Sequence, residues 1–501
     1  MRWISPPGGG LKGETMNKTI LVIMGLILSL HTASAVRQNP SRTIALTDCE
    51  VKGVQGKVKC GTLEVFENRA TKKGRMISLN IVVYPATGEK REPDPVVYFA
   101  GGPGSAATQE APAIAQAFAK IREHRDLVFV DQRGTGRSHP LNCEFYNKSD
   151  PQSYFGYFFP LEDVRKCRAE LEPKADLTLY TTTIAMDDID EVRAALGYEK
   201  INLFGGSYGT RAALTYLKRY PKHVRTAMLQ GVAPPNQHMP GDFPVVMERA
   251  LQGVLAECAA DEACHTAFPN LKEETKAVLE RLIKAPVEVE LPKPNSTEQI
   301  RVKLSRDLAA EAIRYMLYNP VPATRVPVTL HLAAQGNFVP LARAALWYRQ
   351  NLVGSGSNGM YLSITCAEDL PWIKPGEGER LAANTFLGDY RLRQQREACA
   401  LWPRADVERD YTEPVRTDVP VLILTGEWDP VTPPENGNRV AKTLANSLHI
   451  VVPHGAHGLG GLEGMDCIDR TLTEFVARAT TKNIDTSCVK SVRRKGFALK
   501  L

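Results

Sequence analysis

Three residue types in this chain can together perform acyl transfer, and they occur in a telling order. Ser207 sits at the centre of Gly205-Gly206-Ser207-Tyr208-Gly209. Asp429 follows in Gly426-Glu427-Trp428-Asp429-Pro430, and His457 closes Pro453-His454-Gly455-Ala456-His457-Gly458. A serine hydroxyl is a weak nucleophile until a base takes its proton, and that base is usually a histidine oriented by a buried carboxylate. The G-x-S-x-G spacing gives Ser207 small neighbours on both sides, which a tight, strained turn requires. Each residue also has a plainer reading. Ser207 alone would be an incidental serine in a glycine-rich turn, and Asp429 before proline a simple turn residue. His454 rivals His457, which we favour because glycine and alanine flank it and leave room for the ring.

The tetrahedral oxyanion of acyl transfer needs two backbone N–H donors. One is expected from Tyr208, the residue after the serine. The second is expected from the run Gly101-Gly102-Pro103-Gly104, where missing side chains let backbone approach a substrate. Gly102 is the first choice and Gly101 the second.

These residues need a scaffold that delivers them to one place. An apolar run at 201–204 leads into the serine turn, and a helix-forming stretch follows from Arg211 to Leu217. That is strand, turn and helix. Further apolar runs at 95–100, 126–130, 224–231, 419–425 and 448–452 read as buried strands. Helical patterns at 112–121, 183–196 and 470–479 lie near them. The alternation of strand, loop and helix predicts a mostly parallel, doubly wound α/β sheet. The chemistry-bearing loops all follow strands, as they should in such a sheet. Asp131 and Arg133, in the loop after 126–130, are expected to brace that loop. From Gln237 to Val415 the pattern turns to long helices, at 246–260, 273–283 and 305–317. The expected organisation is a core at 36–236 and 416–480, a large helical lid insertion at 237–415, and a tail at 481–501.

The 501 residues exceed what one compact core usually holds, which fits a core with an insertion. A net charge of +6 is small for this length, so nothing suggests a nucleic-acid surface. Met16-Asn17-Lys18, the apolar run at 20–30 and Ala33-Ser34-Ala35 form a secretory signal peptide over 16–35, with a mature start near Val36. The apolar run is short for a membrane span, and Val36 in place of cysteine argues against a lipid anchor. No stable membrane anchor is expected after cleavage. Lys12-Gly13-Glu14 can be encoded by a ribosome-binding site, so translation is expected to begin at Met16 in a bacterium. Ten cysteines, an even number in an exported chain, favour disulfides. The spacing suggests neighbours in order, Cys49–Cys60, Cys143–Cys167, Cys258–Cys264, Cys366–Cys399 and Cys467–Cys488. No spacing suggests a metal site. The periplasm or the cell exterior is the expected location.

Taken together, the motifs resemble the prolyl and tripeptidyl aminopeptidase-like branch of the α/β-hydrolases. The matching pieces are the glycine run at Gly101, Asp131-Gln132-Arg133-Gly134-Thr135-Gly136-Arg137-Ser138, and Gly205 to Thr210. Cys258 to Cys264, Gly426 to Pro433 and Ala456 to Gly458 complete the set in family order. The resemblance implies an α/β-hydrolase fold and a serine peptidase. Such an enzyme takes proline or short peptides from free N-termini under a lid, without metal or cofactor. Its partners would be peptide substrates. Ala100 departs from the histidine found there in several prolyl members, which weakens a strict proline preference. Recognition of a substrate ammonium calls for buried carboxylates; Glu368 and Asp369 are the candidates, with Glu427 third. The same three catalytic residues would serve an esterase, and a binding protein on an inactive hydrolase fold is the non-enzymatic alternative.

Overall fold

The computed structural model describes residues 43–51, 57–147, 149–292, 298–353 and 356–501, with the side chains of 352 and 353 not described. The signal-peptide and start-site expectations lie outside the described residues. The strands are β1 (Thr47–Cys49), β2 (Val58–Phe66), β3 (Met76–Tyr84), β4 (Val96–Phe99), β5 (Leu127–Val130) and β6 (Ile201–Gly206). They continue with β7 (Val224–Gln230), β8 (Val287–Pro292), β9 (Gln299–Leu304), β10 (Val421–Gly426) and β11 (Ser447–Val452). Nine of them form one sheet in the order β1-β2-β3-β5-β4-β6-β7-β10-β11. The first three pair antiparallel, and every pair from β5 to β11 is parallel.

The parallel strands are apolar on both faces because both are covered, as parallel sheets require. Val97, Phe99, Leu203 and Ile423 enter one core. Their neighbours Val96, Tyr98, Phe204, Leu422 and Leu424 enter another on the opposite face. This is the two-residue period of a strand read out as two cores. Phe204 shows the packing, with its ring centroid 4.5 Å from Phe118 and 5.4 Å from Tyr98.

Between β7 and β10 the chain leaves the sheet. This stretch holds helices such as Phe243–Ala260, Leu271–Lys284, Arg306–Met316 and Asn358–Glu368. A third core includes Met247, Leu251, Leu282, Ile313 and Leu341. It also holds a small antiparallel sheet of β8 and β9, which the helical reading of this region did not include. Their alternating burial, with Val289, Leu291, Val302 and Leu304 inward, is the pattern of a half-buried hairpin.

The first helix after the glycine run also differs from expectation. It spans Ala107–Ala117 and contains Pro112, rather than starting there. Its start is fixed from a distance, because Asp131 Oδ1 accepts from the Thr108 N–H at 3.0 Å and Oδ2 from the Thr108 hydroxyl at 2.9 Å. Asp131 also receives Asn80 Nδ2 and the Arg137 N–H. Arg133 clamps Asp188 through Nε (2.6 Å) and Nη2 (2.8 Å) and donates to the Glu67 and Leu179 carbonyls. Both residues brace the loop after β5. Five disulfides pair the cysteines as neighbours in order: Cys49–Cys60, Cys143–Cys167, Cys258–Cys264, Cys366–Cys399 and Cys467–Cys488.

Candidate active site

Ser207 lies between β6 and the helix Tyr208–Arg219, with φ +55° and ψ −125°. A non-glycine residue adopts such angles only where its surroundings enforce them. The enforcement is visible in two glycines. A Cβ on Gly205 would come within 2.3 Å of the Gly209 carbonyl oxygen, and one on Gly209 within 2.0 Å of the Phe99 carbonyl oxygen. Helix and strand therefore approach too closely for any side chain at either place.

His457 follows β11 and Asp429 follows β10. The imidazole Nδ1 lies 2.9 Å from Asp429 Oδ2 and 3.1 Å from Oδ1. Asp429 is fully buried, while the His457 side chain keeps 14% of its surface exposed. The carboxylate is saturated with donors. Oδ1 accepts the N–H groups of Val431 and Thr432, each at 2.8 Å, and Oδ2 accepts the Thr432 hydroxyl at 2.7 Å. Thr432 Oγ1 also lies 3.1 Å from His457 Nδ1. The end of β7 lies against both the serine and the histidine. The Ser207 N–H donates to the Gln230 carbonyl at 2.9 Å. On the next residue, Gly231, a Cβ would lie 3.2 Å from His457 Cε1.

The rival histidine has another partner. His454 Nδ1 lies 2.7 Å from Glu257 Oε1. Glu257 also accepts from Trp428 Nε1 at 2.8 Å and from Arg494 Nη2 at 2.9 Å. Arg249 Nη1 donates to the Glu427 carbonyl at 2.9 Å, and Trp428 lies against Gly253. Arg249, Gly253 and Glu257 are spaced by four, so they form one stripe of the helix Phe243–Ala260. That stripe holds the loop carrying Asp429.

The glycine run abuts the serine. A Cβ on Gly101 would lie 3.3 Å from Ser207 Cβ, and Gly102 follows at φ +109°. Tyr208 is the first residue of its helix, where N–H groups lack intrahelical partners. Its hydroxyl is tied to Thr182 Oγ1 at 2.7 Å.

The carboxylates offered for an ammonium ion, Glu368 and Asp369, are buried and already engaged by neighbouring groups. Glu368 is fully buried in the core behind the serine turn. It accepts from the Thr182 N–H and hydroxyl, each at 2.6 Å, and from the Tyr411 hydroxyl. Asp369 is also fully buried and pairs with Arg211 Nη2 at 2.8 Å. Burial raises both carboxyls above their usual range, against the hydrogen bonds of Thr182 and Tyr411 for Glu368 and the Arg211 charge for Asp369. They brace Thr182 and Arg211, and Asp369 Oδ2 is left without a hydrogen-bond partner among the described residues. Glu427 is half-buried, with Oε2 accepting the His454 N–H at 2.9 Å.

Among the described residues, Glu257, Glu427 and His454 are the three His or acidic groups whose ligand atoms converge. Trp428 and Arg494 already occupy Glu257, so the cluster reads as an ion-pair network. Sequence reasoning missed Thr432, the Arg249 stripe and Tyr318. The rings of Tyr318 and His457 meet edge to face, with centroids 5.3 Å apart at 71°.

Sheet order and site geometry together define an α/β-hydrolase. The family model of the alpha/beta hydrolase fold matches residues 94–313, and that of TAP-like protein matches residues 384–488. Serine protease Hip1 of Mycobacterium tuberculosis is 26% identical over 93% of this chain and 95% of its own length. Tripeptidyl aminopeptidase of Streptomyces lividans is 24% identical over 86% of this chain and 83% of its own. Carboxylesterase B of Mycobacterium tuberculosis is 26% identical over 86% of each. The chain has the α/β-hydrolase fold and is a serine hydrolase of peptidase type. Its five disulfides are consistent with export. Among the described residues no helix is long and apolar enough to cross a membrane.

Proposed function

We propose that the protein is an exported serine exopeptidase releasing proline or short peptides from free N-termini. Ser207 Oγ attacks the scissile carbonyl, and His457 takes its proton. The tetrahedral oxyanion is held by the N–H groups of Tyr208 and of Gly102 or Gly101. His457 then returns the proton to the leaving amine, which departs and leaves an acyl-enzyme. Water, activated by the same imidazole, releases the acyl product and restores the serine. Asp429 fixes the imidazole with Nδ1 protonated, so that Nε2 is the basic nitrogen.

The observation that carries the exopeptidase reading is that the insertion touches the site on two sides. Tyr318 abuts His457, and the Ser357 N–H donates to the Gly104 carbonyl at 2.9 Å. On this reading residues 237–415 are a lid over the core of 36–236 and 416–480. A site walled at both the base and the glycine loop suits a chain end better than a continuous chain. The likeness to tripeptidyl aminopeptidase supports the same reading. Glu427 is the remaining candidate for the substrate ammonium. Export to the periplasm or beyond rests on the signal-like segment at 16–35 and the five disulfides.

The second reading, a carboxylesterase, is favoured by the likeness to Carboxylesterase B. Turnover of free and N-acetylated peptide anilides, alongside short acyl esters, separates the two. The exopeptidase cleaves free peptides and spares the acetylated ones. Equal rates on both remove N-terminal recognition, and turnover of esters alone makes the protein an esterase. Products from free peptides of graded length then give the number of residues released.

A further inference from the structure

We propose that Tyr318 is a positioning residue for His457, and that the buried charge cluster of the insertion holds it in place. The proposal rests on the reading of His457 as the base.

Asp429 and Thr432 grip the imidazole at Nδ1, along its edge. A grip at one atom leaves the ring free to rock about that contact, and the Nε2 end must be held for proton transfer from Ser207. Tyr318 supplies the second support. Its ring packs on His457 at 71°, an edge-to-face geometry that is attractive in itself. Its carbonyl accepts the Gly458 N–H at 2.8 Å, so it also ties down the residue after the histidine. Asn319 presses on the same place, since a Cβ on Gly458 would lie 2.1 Å from Asn319 Oδ1.

Tyr318 is itself anchored. Arg314, four residues earlier, donates from Nη2 to the Tyr318 hydroxyl at 2.5 Å. Its Nη1 donates to Glu311 Oε2 and to the Tyr348 hydroxyl, each at 3.0 Å. Glu311 is fully buried and also pairs with Arg391 Nε at 3.4 Å and with the Tyr390 hydroxyl. Arg314 stacks over Phe243 at 4.9 Å. A buried ion pair costs desolvation and adds little net stability, but it fixes geometry. Here the fixed end of the chain of contacts is the phenol, whose ring meets the base. The insertion therefore completes the catalytic site mechanically as well as enclosing it.

The test compares wild type with Tyr318→Phe and Tyr318→Leu. Each is assayed for kcat and KM on a free peptide anilide, and for the rate of labelling by a fluorophosphonate probe. Phe keeps the ring and loses the Arg314 anchor; Leu loses both. The expected result is kcat falling several-fold in Tyr318→Phe and about 10- to 100-fold in Tyr318→Leu, the scale of a misplaced catalytic group. KM stays within about 2-fold, since positioning acts on the transition state. The labelling rate falls in parallel, because the probe needs the same base and no peptide pocket. A rise in KM with kcat and labelling unchanged makes Tyr318 a substrate wall and overturns the proposal. So does an absence of change in all three. Failure of wild type to label at Ser207 overturns the underlying reading instead, and is a distinct outcome. Should Tyr318→Leu not fold, Tyr318→Phe still decides, since an unchanged kcat there removes the anchor.

Discussion

Trp428 fills the space that Gly253 leaves open: a Cβ on this glycine would lie 2.3 Å from the indole. The glycine is in the middle of the helix Phe243–Ala260, where alanine would ordinarily add about 1 kcal/mol of stability. Gly253→Ala is expected to do the opposite. The clash should cost about 1–3 kcal/mol and lower kcat, because Trp428 precedes Asp429. Denaturant melts give the first effect and peptide turnover the second. Adding Trp428→Leu should recover part of the stability, a coupling that independent sites would not show.

The two histidines of the last loop should separate cleanly. His457→Gln is expected to lower kcat about 10⁴-fold or more, as loss of a triad base does. His454→Gln breaks the contact with Glu257 and should leave kcat within a few-fold. Steady-state kinetics of the two variants on one substrate check this. A large loss in His454→Gln with little in His457→Gln would reverse the assignment.

Thr432→Val removes the hydroxyl that bonds Asp429 Oδ2 and approaches His457 Nδ1. One lone pair of a fully buried carboxylate then lacks its donor, at a cost of about 1–3 kcal/mol. Thr432→Ser keeps the hydroxyl and should retain most of the activity. Melting temperature and kcat, measured on both variants, test whether the hydroxyl or the methyl matters.

Glu311 links the insertion to acid stability. Burial alone would raise its carboxyl, but Arg314, Arg391 and Arg349 prevail and lower it from 4.5 to about 2. A carboxyl that is more acidic in the folded state stabilises the fold above its unfolded pKa. That contribution is complete above pH 4.5 and fades as the pH falls toward 2. Glu311→Gln leaves the arginines without their counter-charge and should cost about 3–5 kcal/mol at neutral pH. Its stability should also vary less than wild type between pH 4.5 and 2. Melts across that range give both results.

The loops that carry Ser207, Asp429 and His457 were legible because their signals are local. Glycines around Ser207, and acid and histidine directly after apolar runs, need no knowledge of distant contacts. The disulfides were legible for a similar reason, since each closes onto its neighbour in sequence. What escaped was set by tertiary contact. The helix at Ala107 starts where Asp131 from another loop caps it, while the local signal, Pro112, pointed five residues later. Glu368 and Asp369 were singled out as carboxylates for a buried cation, but nothing in the sequence signals that Thr182, Tyr411 and Arg211 engage them. Tyr318 carries no sequence signal, because it meets His457 only when the insertion closes on the core. The β8–β9 hairpin was readable from its alternation at 287–292 and 299–304, and was hidden by the helices around it.

Active-site labelling decides whether Ser207 is the nucleophile of a peptidase. A fluorophosphonate probe should modify one site per chain, at Ser207 by peptide mapping. Loss of peptide turnover should follow labelling in proportion, and Ser207→Ala should neither label nor turn over while melting like wild type. Modification at another residue, or peptide turnover that persists in Ser207→Ala, would contradict the account.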